Sequence, residues 1–589
     1  MTDTRVWKLP EKLPDPAEVA DAWAKVAGAS MELMRAQAEG LTAAKHPPAY
    51  DPFAPATAMA SFAAQAWTDP MGLWDRSHKA GAEWLDLWTR AATGNKEPLV
   101  APERGDRRFS DAAWTDEPVF DYLKQAYLLA SRQAVDLVKN AEGVDEATRT
   151  KAEFFTQAYL NALSPANFAF TNPAAIRRAI ETGNLSLLAG LANLLADAAT
   201  ESKLVQRRVA GDGFELGVNL AATPGHVVYQ NELMQLIQYT PQTETVWKRP
   251  LLYVPPLVNR YYLLDLQPKS SMIRWLVEQG HTLFVISWVN PGPELADKGL
   301  SDWIVEGPVE ALRVIEERTG ERAADVFGFC MGGTLGGIAA ALLQAWGEGD
   351  RVASLTTIGS MFDFRDMGQW STFREPDQLR NMERHLEARG FMAAHDLQAL
   401  FSLVRANDLI WSSVVSHYLL DRQAPASDLL HWFADGANIS KAFLLDWARD
   451  VLVANKLKTG GLKVAGEAID LGAVKAPLHC ISLKDDHVSA WEATYDGAAL
   501  FGGEKRFTLG GSGHNAGVIN PPSANKHGYW VNEDFPATAG EWFANAEKRE
   551  GSWWPEWQAY LVRDGAERVP ARVVTDEIEP APGSYVRMG

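Results

Sequence analysis

Cysteine is scarce in this chain of 589 residues, which contains only Cys330 and Cys480. Two cysteines cannot build the disulfide framework of a secreted domain, so the sequence indicates a reducing, cytosolic setting. Basic residues are also in deficit, because 56 Lys and Arg stand against 75 Asp and Glu, for a formal net charge of −19. This balance argues against nucleic acid or an anionic membrane surface as the main partner.

Long apolar runs are missing as well. No stretch of about 18 consecutive apolar residues occurs, and the first residues lack the apolar core of a signal peptide. We therefore expect neither a membrane span nor secretion. The chain does contain 47% hydrophobic and 22% charged residues, a composition typical of a globular protein with a large core.

Composition and periodicity change several times along the chain. Helical patterns dominate the beginning, whereas apolar strands later alternate with helices, as in a parallel sheet covered on both faces. A stretch of helices rich in Trp and Leu then predicts an insertion between two strands of that sheet. We predict a partly mobile helical region at 1–105, a helical domain at 106–220, a first part of the sheet domain at 221–365, the insertion at 366–465, and a second part with a Trp-rich C-terminal segment at 466–589.

The clearest chemical pattern is Gly328-Phe-Cys-Met-Gly332, a nucleophile with a glycine two residues to either side. The apolar run before it predicts a buried strand, and the small residues after it predict a helix. A strand that turns so sharply into a helix needs glycines, because a Cβ atom would collide there. The helix N-terminus would favour the thiolate form of Cys330. The alternative is a small buried cysteine in a glycine-rich turn, but the flanking strand and helix favour the nucleophile.

A nucleophilic cysteine needs a base, and the base needs an orienting acid. In an open parallel sheet, such residues lie in loops beyond the carboxyl ends of strands. The strand predicted at 478–483 is followed by the acidic loop 484–487, and the strand predicted at 507–509 is followed by a glycine-rich loop with His514. Both loops are therefore expected beside the nucleophile.

The chain order is then Cys330, an acid that is Asp485 or Asp486, and His514, which is the order of an α/β-hydrolase triad. His487 is a rival base. Its position directly after the acids favours a place packed beneath them instead.

Attack on an acyl carbon also requires donors for the oxyanion. The backbone N–H of Met331, the residue after the nucleophile, is one candidate. The other is expected in the loop after an early strand, 254–259, where two prolines carry no N–H and leave Leu257 or Val258. A thiolate suits exchange of an acyl group between two sulfurs, so the sequence indicates an acyl thioester donor such as a coenzyme A ester.

Longer motifs run through most of the chain from about residue 105 to the end. They include Ser164-Pro-Ala-Asn-Phe168, Tyr229-Gln-Asn-Glu232, Pro255–Pro268, Asn407-Asp-Leu-Ile-Trp411, Lys484-Asp-Asp-His487, Gly513–Pro522 and Gly551–Trp557. Together they resemble the class I poly(3-hydroxyalkanoate) synthases, bacterial polyester polymerases of the α/β-hydrolase superfamily. The resemblance implies an α/β-hydrolase fold, with a mostly parallel sheet, helices on both faces, a helical cap at 366–465 and a helical N-terminal domain.

Carried over motif by motif, the resemblance implies Cys330 as nucleophile, Asp486 as acid and His514 as base. It implies polymerisation of (R)-3-hydroxyacyl-coenzyme A thioesters into polyester, with coenzyme A as leaving group and with no metal or redox cofactor. The implied partners are the growing polyester chain, a second copy of the chain in a homodimer, and the surface of a polymer granule in the cytoplasm.

Two other interpretations stay open. A Cys-dependent esterase, thioesterase or polyester depolymerase would use the same elbow and triad, and only the exclusion of water separates it from a polymerase. A granule-bound structural protein with a decayed hydrolase fold is the third, although the complete order of cysteine, aspartate and histidine argues against it.

Overall fold

The structure is a computed structural model that describes residues 14–42, 55–66, 70–103, 106–199, 213–367, 370, 374, 376–404, 406–422, 427–563 and 567–588. These residues form two compact units. One unit comprises the described residues within 1–210 and 398–426, and the other comprises those within 211–397 and 427–589. Four parts of the region predicted to be mobile, 1–13, 43–54, 67–69 and 104–105, lie outside the described residues.

The described part of the first unit consists mainly of α-helices. Their bounds are Pro16–Thr42, Pro55–Ala66, Pro70–Thr93, Ala113–Asp116, Pro118–Lys139, Glu146–Ala162, Pro173–Glu181 and Leu185–Ala198. Asp145 caps one helix by accepting a hydrogen bond from the Thr148 N–H. In the described part of the chain no single helix has the length and apolarity of a membrane span. The helices Pro173–Glu181 and Leu185–Ala198 reach that length and apolarity only when they are taken together, and they are bent by 113° at the break between them.

The first unit also contains the middle of the predicted insertion. The helix Ala394–Val404 leads into two π-helical segments, Asn407–Trp411 and Val414–Leu419. The Tyr418 hydroxyl donates a hydrogen bond of 2.8 Å to Asp197. The predicted insertion at 366–465 is thus divided between the two units.

The second unit is built on a sheet of 11 strands. In chain order they are β1 (Gly225–Gln230), β2 (Met234–Tyr239), β3 (Leu251–Val254), β4 (Leu283–Trp288), β5 (Ala324–Phe329), β6 (Val352–Ile358), β7 (Leu478–Leu483), β8 (Lys505–Gly510), β9 (Tyr529–Asn532), β10 (Glu547–Arg549) and β11 (Glu579–Pro580). The spatial order is β10-β9-β8-β7-β6-β5-β3-β4-β2-β1-β11. The six central strands, β8, β7, β6, β5, β3 and β4, run parallel to one another. The strands on either side of them, β9 and β10 at one side and β2, β1 and β11 at the other, pair antiparallel.

Helices connect and cover this sheet. The α-helical and π-helical segments are Met272–Glu278, Leu300–Ile304, Val305–Val309, Glu310–Thr319, Met331–Ala345, Pro376–Arg389, Asp428–Ala434, Lys441–Asp446, Trp447–Val453, Lys456–Thr459, Trp491–Ala498, Ala539–Ala544 and Trp554–Leu561. Every residue of β3, β4, β5 and β7 is buried. Burial on both faces explains why apolar residues dominate both faces of these strands instead of alternating with polar ones, and why the few polar residues among them, such as His479 and Asp325, are buried as well.

The C-terminal segment extends the sheet at both ends. It supplies β9 and β10 at one edge and β11 at the other. Between them, Trp553, Trp554 and Trp557 are fully buried, and the Trp557 ring centroid lies 5.1 Å from that of Phe327 in β5. The tryptophans of this segment therefore belong to the core of the sheet unit.

Candidate active site

The predicted elbow is present at Cys330, which lies between β5 and the helix Met331–Ala345. Its φ angle is +55°, a value that L-residues other than Asn and Asp rarely adopt. The Cys330 N–H is held by the carbonyl of Ile358, at 2.8 Å, at the end of the neighbouring strand β6. The fold thus holds the cysteine in a strained backbone, at a cost of about 1–3 kcal/mol, with its thiol half-buried.

The glycines of the elbow are required by close backbone approach. A Cβ atom on Gly328 would lie 2.5 Å from backbone atoms of Gly332 and Gly333. A Cβ atom on Gly332 would lie 2.1 Å from the carbonyl oxygen of Val254. Both positions therefore exclude any larger residue, which is the physical reason predicted for the pattern.

The acid and the base of the predicted triad are paired. His514 Nδ1 lies 2.6 Å from Asp486 Oδ2, and the Asp486 side chain is fully buried. Asp486 follows β7 and His514 follows β8. These two strands are neighbours and parallel, so both residues lie at the carboxyl ends of the strands, on the same side of the sheet. Cys330 follows the parallel strand β5 and therefore also lies at the carboxyl ends of the strands.

The acidic loop distinguishes between the two aspartates. Asp486 is buried, and its Oδ1 accepts hydrogen bonds from the N–H groups of Val488, at 2.7 Å, and Ser489, at 2.9 Å. Asp485 is exposed, and so is His487. The expectation that His487 packs beneath the acids is wrong, because the loop turns its side chain outward while Asp486 points in.

The ionisation of His514 is controlled by its neighbours. Burial disfavours the imidazolium, but the charges of Asp486 and Cys330, and hydrogen bonds to both, outweigh it and raise the pKa of His514 from 6.5 to about 10. The His514 ring also packs on Phe329, with ring centroids 4.7 Å apart. The surroundings of His514 therefore stabilise its protonated form, the form that it has after accepting a proton.

The loop predicted to supply the second oxyanion donor passes beside the elbow. Val254 pairs with Gly328 across β3 and β5, so the chain leaves both strands at the same edge. Leu257 is buried and Val258 is half-buried. Met331 is the first residue of the helix after Cys330, a position whose N–H has no acceptor within the helix. The donor roles of Met331, Leu257 and Val258 stay predictions.

Gly359 is a residue of the site that the sequence reasoning missed. It follows β6 with φ +56°, and a Cβ atom there would lie 3.3 Å from His514 Cε1 and 3.4 Å from Asp486 Oδ2. Its N–H donates to the carbonyl of Ile481 in β7 at 2.8 Å. The sequence does show a glycine directly after the predicted strand β6. Only the order of the strands in the sheet, however, brings this glycine beside His514 and Asp486.

The arrangement can perform acyl transfer through a covalent intermediate. Because Nδ1 of His514 is bound to Asp486, the other ring nitrogen is left for the Cys330 thiol, whose interaction with this histidine helps to raise the pKa of His514. An imidazole held in this way can take the proton of a thiol and return it to a leaving group.

Comparison with known proteins extends these observations. A family model described as the N-terminus of poly-beta-hydroxybutyrate polymerase (PhaC) matches residues 105–276. A second, described as the alpha/beta hydrolase fold, matches residues 260–521, which include Cys330, Asp486 and His514. This match, together with the sheet, confirms the predicted fold class.

Three similar proteins share most of their length with this chain. The poly(3-hydroxyalkanoate) polymerase subunit PhaC of Rhizobium meliloti is 39% identical over 522 residues, 87% of this chain and 85% of the relative. The poly(3-hydroxyalkanoate) polymerase of Methylorubrum extorquens is 39% identical over 536 residues, 89% and 88% of the two chains. The corresponding subunit of Cupriavidus necator is 38% identical over 529 residues, 88% and 89%.

Proposed function

This chain belongs to the poly(3-hydroxyalkanoate) polymerase family, and from that premise we propose that it polymerises (R)-3-hydroxyacyl groups from coenzyme A thioesters into a polyester. The observation that carries the proposal is the position of His514, which contacts Asp486 through one ring nitrogen and interacts with the Cys330 thiol. This is the arrangement that activates a sulfur nucleophile toward an acyl group.

The first half of the cycle loads the enzyme. His514 takes the proton of Cys330, and the sulfur attacks the thioester carbonyl. The carbon–sulfur bond to coenzyme A breaks, and the departing thiolate receives the proton from His514. The negative charge on the carbonyl oxygen would be stabilised by the N–H of Met331 and by Leu257 or Val258.

The second half lengthens the chain. His514, supported by the charge of Asp486, accepts the proton of the hydroxyl group of an acyl unit. The hydroxyl oxygen attacks the acyl group on Cys330, an ester bond forms, and the sulfur leaves with the proton returned from His514. One sulfur–acyl bond is broken for each ester formed, so the step needs neither a metal nor a redox cofactor.

The partners follow from this chemistry. The growing polyester remains attached to or close to the enzyme, so we place the protein at the surface of polymer granules in the cytoplasm. We further propose a homodimer and a cap formed by the insertion at 366–465, which would keep water from the acyl-enzyme.

The proposal is tested by incubating the purified protein with (R)-3-hydroxybutyryl-coenzyme A. Release of coenzyme A with increasing turbidity, and loss of both in Cys330→Ala, is the expected result. Release of coenzyme A into a clear solution that contains free 3-hydroxybutyrate would instead identify a Cys-dependent hydrolase. Release of coenzyme A by Cys330→Ala at the wild-type rate would refute the covalent mechanism.

A further inference from the structure

The turn that carries His514, residues 513–517, is bound by two tryptophans of the C-terminal segment, Trp553 and Trp554. The turn closes through a hydrogen bond of 2.8 Å from the Gly517 N–H to the Gly513 carbonyl. At its far end, the indole N–H of Trp553 donates to the Gly517 carbonyl at 2.9 Å, and that of Trp554 donates to the Val518 carbonyl at 3.0 Å. The two tryptophans are adjacent, and so are the two carbonyls that they bind.

These bonds lie in a dry environment. Trp553, Trp554, Gly517 and Val518 are all buried. A buried carbonyl in an irregular turn has no ladder partner and needs a donor from elsewhere in the fold. The indole groups supply that donor, and their rings are too tightly packed to follow the turn if it shifts.

Packing around the turn transmits the same constraint to the acid. A Cβ atom on Gly517 would lie 2.6 Å from the Leu483 side chain at the end of β7, which directly precedes the acidic loop. The acidic loop and the turn are also joined by a hydrogen bond of 3.0 Å from the Asp485 N–H to the Ser512 carbonyl. A displacement of the turn would therefore alter the geometry between His514 and Asp486.

We infer that Trp553 and Trp554 are positioning residues that set the distance between His514 and Cys330 by holding the turn at its Gly517 and Val518 carbonyls. The inference rests on the proposed role of His514 as the base of Cys330. Trp553 carries the larger share, because the Val518 carbonyl also accepts a hydrogen bond from the Asn520 N–H, at 2.9 Å.

The chain contains a matched control in Trp557. This residue lies in the same segment, is equally buried, and donates its indole N–H to Thr356 Oγ1 in β6 at 3.0 Å. Its loss therefore removes an equivalent hydrogen bond and an equivalent part of a ring, but it does not affect the His514 turn directly.

The experiment replaces each tryptophan separately by phenylalanine: Trp553→Phe, Trp554→Phe and Trp557→Phe. A second series incorporates 3-benzothienylalanine at the same positions, which keeps the bicyclic ring and removes only the N–H group. This series answers the question if a phenylalanine variant fails to fold. Each protein is assayed for coenzyme A release, for thermal stability, and for the rate of iodoacetamide alkylation of Cys330 as a function of pH.

We expect kcat to fall about tenfold without the Trp553 N–H, less without that of Trp554, and hardly at all without that of Trp557, with KM unchanged. Alkylation of Cys330 near neutral pH should slow in the same order, and its pH profile should shift in the first two variants alone. Equal stability loss in all three, with identical kcat and alkylation profiles, would overturn the inference. Alkylation needs no substrate, so an altered profile in a protein that makes no polymer would uphold the positioning role and refute the proposed function.

Discussion

The two cysteines of this chain have the same side chain and very different surroundings. Cys330 lies at the bend between β5 and a helix, half-buried, with φ +55° and with His514 beside it. Cys480 lies within β7, buried, with its Sγ directed at the Thr494 carbonyl at 3.8 Å. Burial raises the pKa of the Cys480 thiol to about 12.

The difference shows what makes a cysteine reactive in this fold. Each cysteine follows or belongs to a buried strand of the same sheet, but only Cys330 has a glycine two residues to either side. Cys330 is only half-buried and has His514 as a neighbour, whereas Cys480 is buried among hydroxyl and carbonyl groups that cannot serve as its base. The reactivity of a cysteine in this fold therefore depends on whether it lies beyond the carboxyl end of a strand, as Cys330 does, or inside a strand, as Cys480 does.

The largest expected effect separates the two cysteines directly. Cys330→Ala should lower coenzyme A release by about 10⁴-fold or more, because it removes the sulfur that carries the acyl chain. Cys480→Ala should retain kcat within about twofold and lose about 1 kcal/mol of unfolding free energy. Steady-state assays and urea denaturation of both variants provide the measurement. A comparable loss of activity in both variants would break the comparison.

The next effect concerns the acid that supports the base of Cys330. Asp486→Asn should lower kcat by about 10³-fold, since it removes the charge that raises the pKa of the buried His514 and the acceptor that orients its ring. Asp485→Asn is the matched control, because its side chain is exposed. Its activity should equal that of the wild type. If Asp485→Asn is the impaired variant, the assignment of the acid is wrong.

A smaller effect is expected at Gly359, which lies against the pair of His514 and Asp486. Gly359→Ala should lower kcat about tenfold, because the added methyl group displaces the ring. Gly320→Ala is the control, since Gly320 also has a positive φ, +71°, but nothing lies within 4 Å of its added Cβ atom. Both variants should lose about 1 kcal/mol of unfolding free energy, and only the first should lose activity. Equal kcat values in the two variants would contradict the role of Gly359.

The smallest effect is a change of stability with pH. The pKa of His514 is raised above its ordinary value, so its contribution to stability is complete below pH 6.5 and is lost as the pH rises through about 10. The difference in unfolding free energy between the wild type and His514→Gln should therefore shrink over that range. The difference between the wild type and Cys480→Ala should stay constant up to about pH 8, because an unfolded thiol, with a pKa of 9.0, ionises only above that pH. Urea titrations at several pH values test both, and a constant difference for His514→Gln would be contrary to expectation.

Much of the fold could be predicted from local pattern. The strand predicted at Val352–Ile358 is observed with the same bounds, and the helix predicted after Cys330 runs from Met331 to Ala345. Mainly apolar runs identified the parallel strands, because both faces of the sheet are covered. The antiparallel strands β9, β10 and β11 were missed, since they contain only four, three and two residues and carry too little apolar pattern.

The sequence by itself determined the elbow at Cys330 and the order of nucleophile, acid and histidine, because steric demand and chain order are local properties. Only the tertiary structure decided that Asp486 turns inward while Asp485 and His487 face solvent, and that Gly359 lies where a Cβ atom would meet the pair. Those facts depend on which strands become neighbours. Contacts between residues that are distant in sequence arise from the packing of the whole sheet, and no short stretch of sequence contains them.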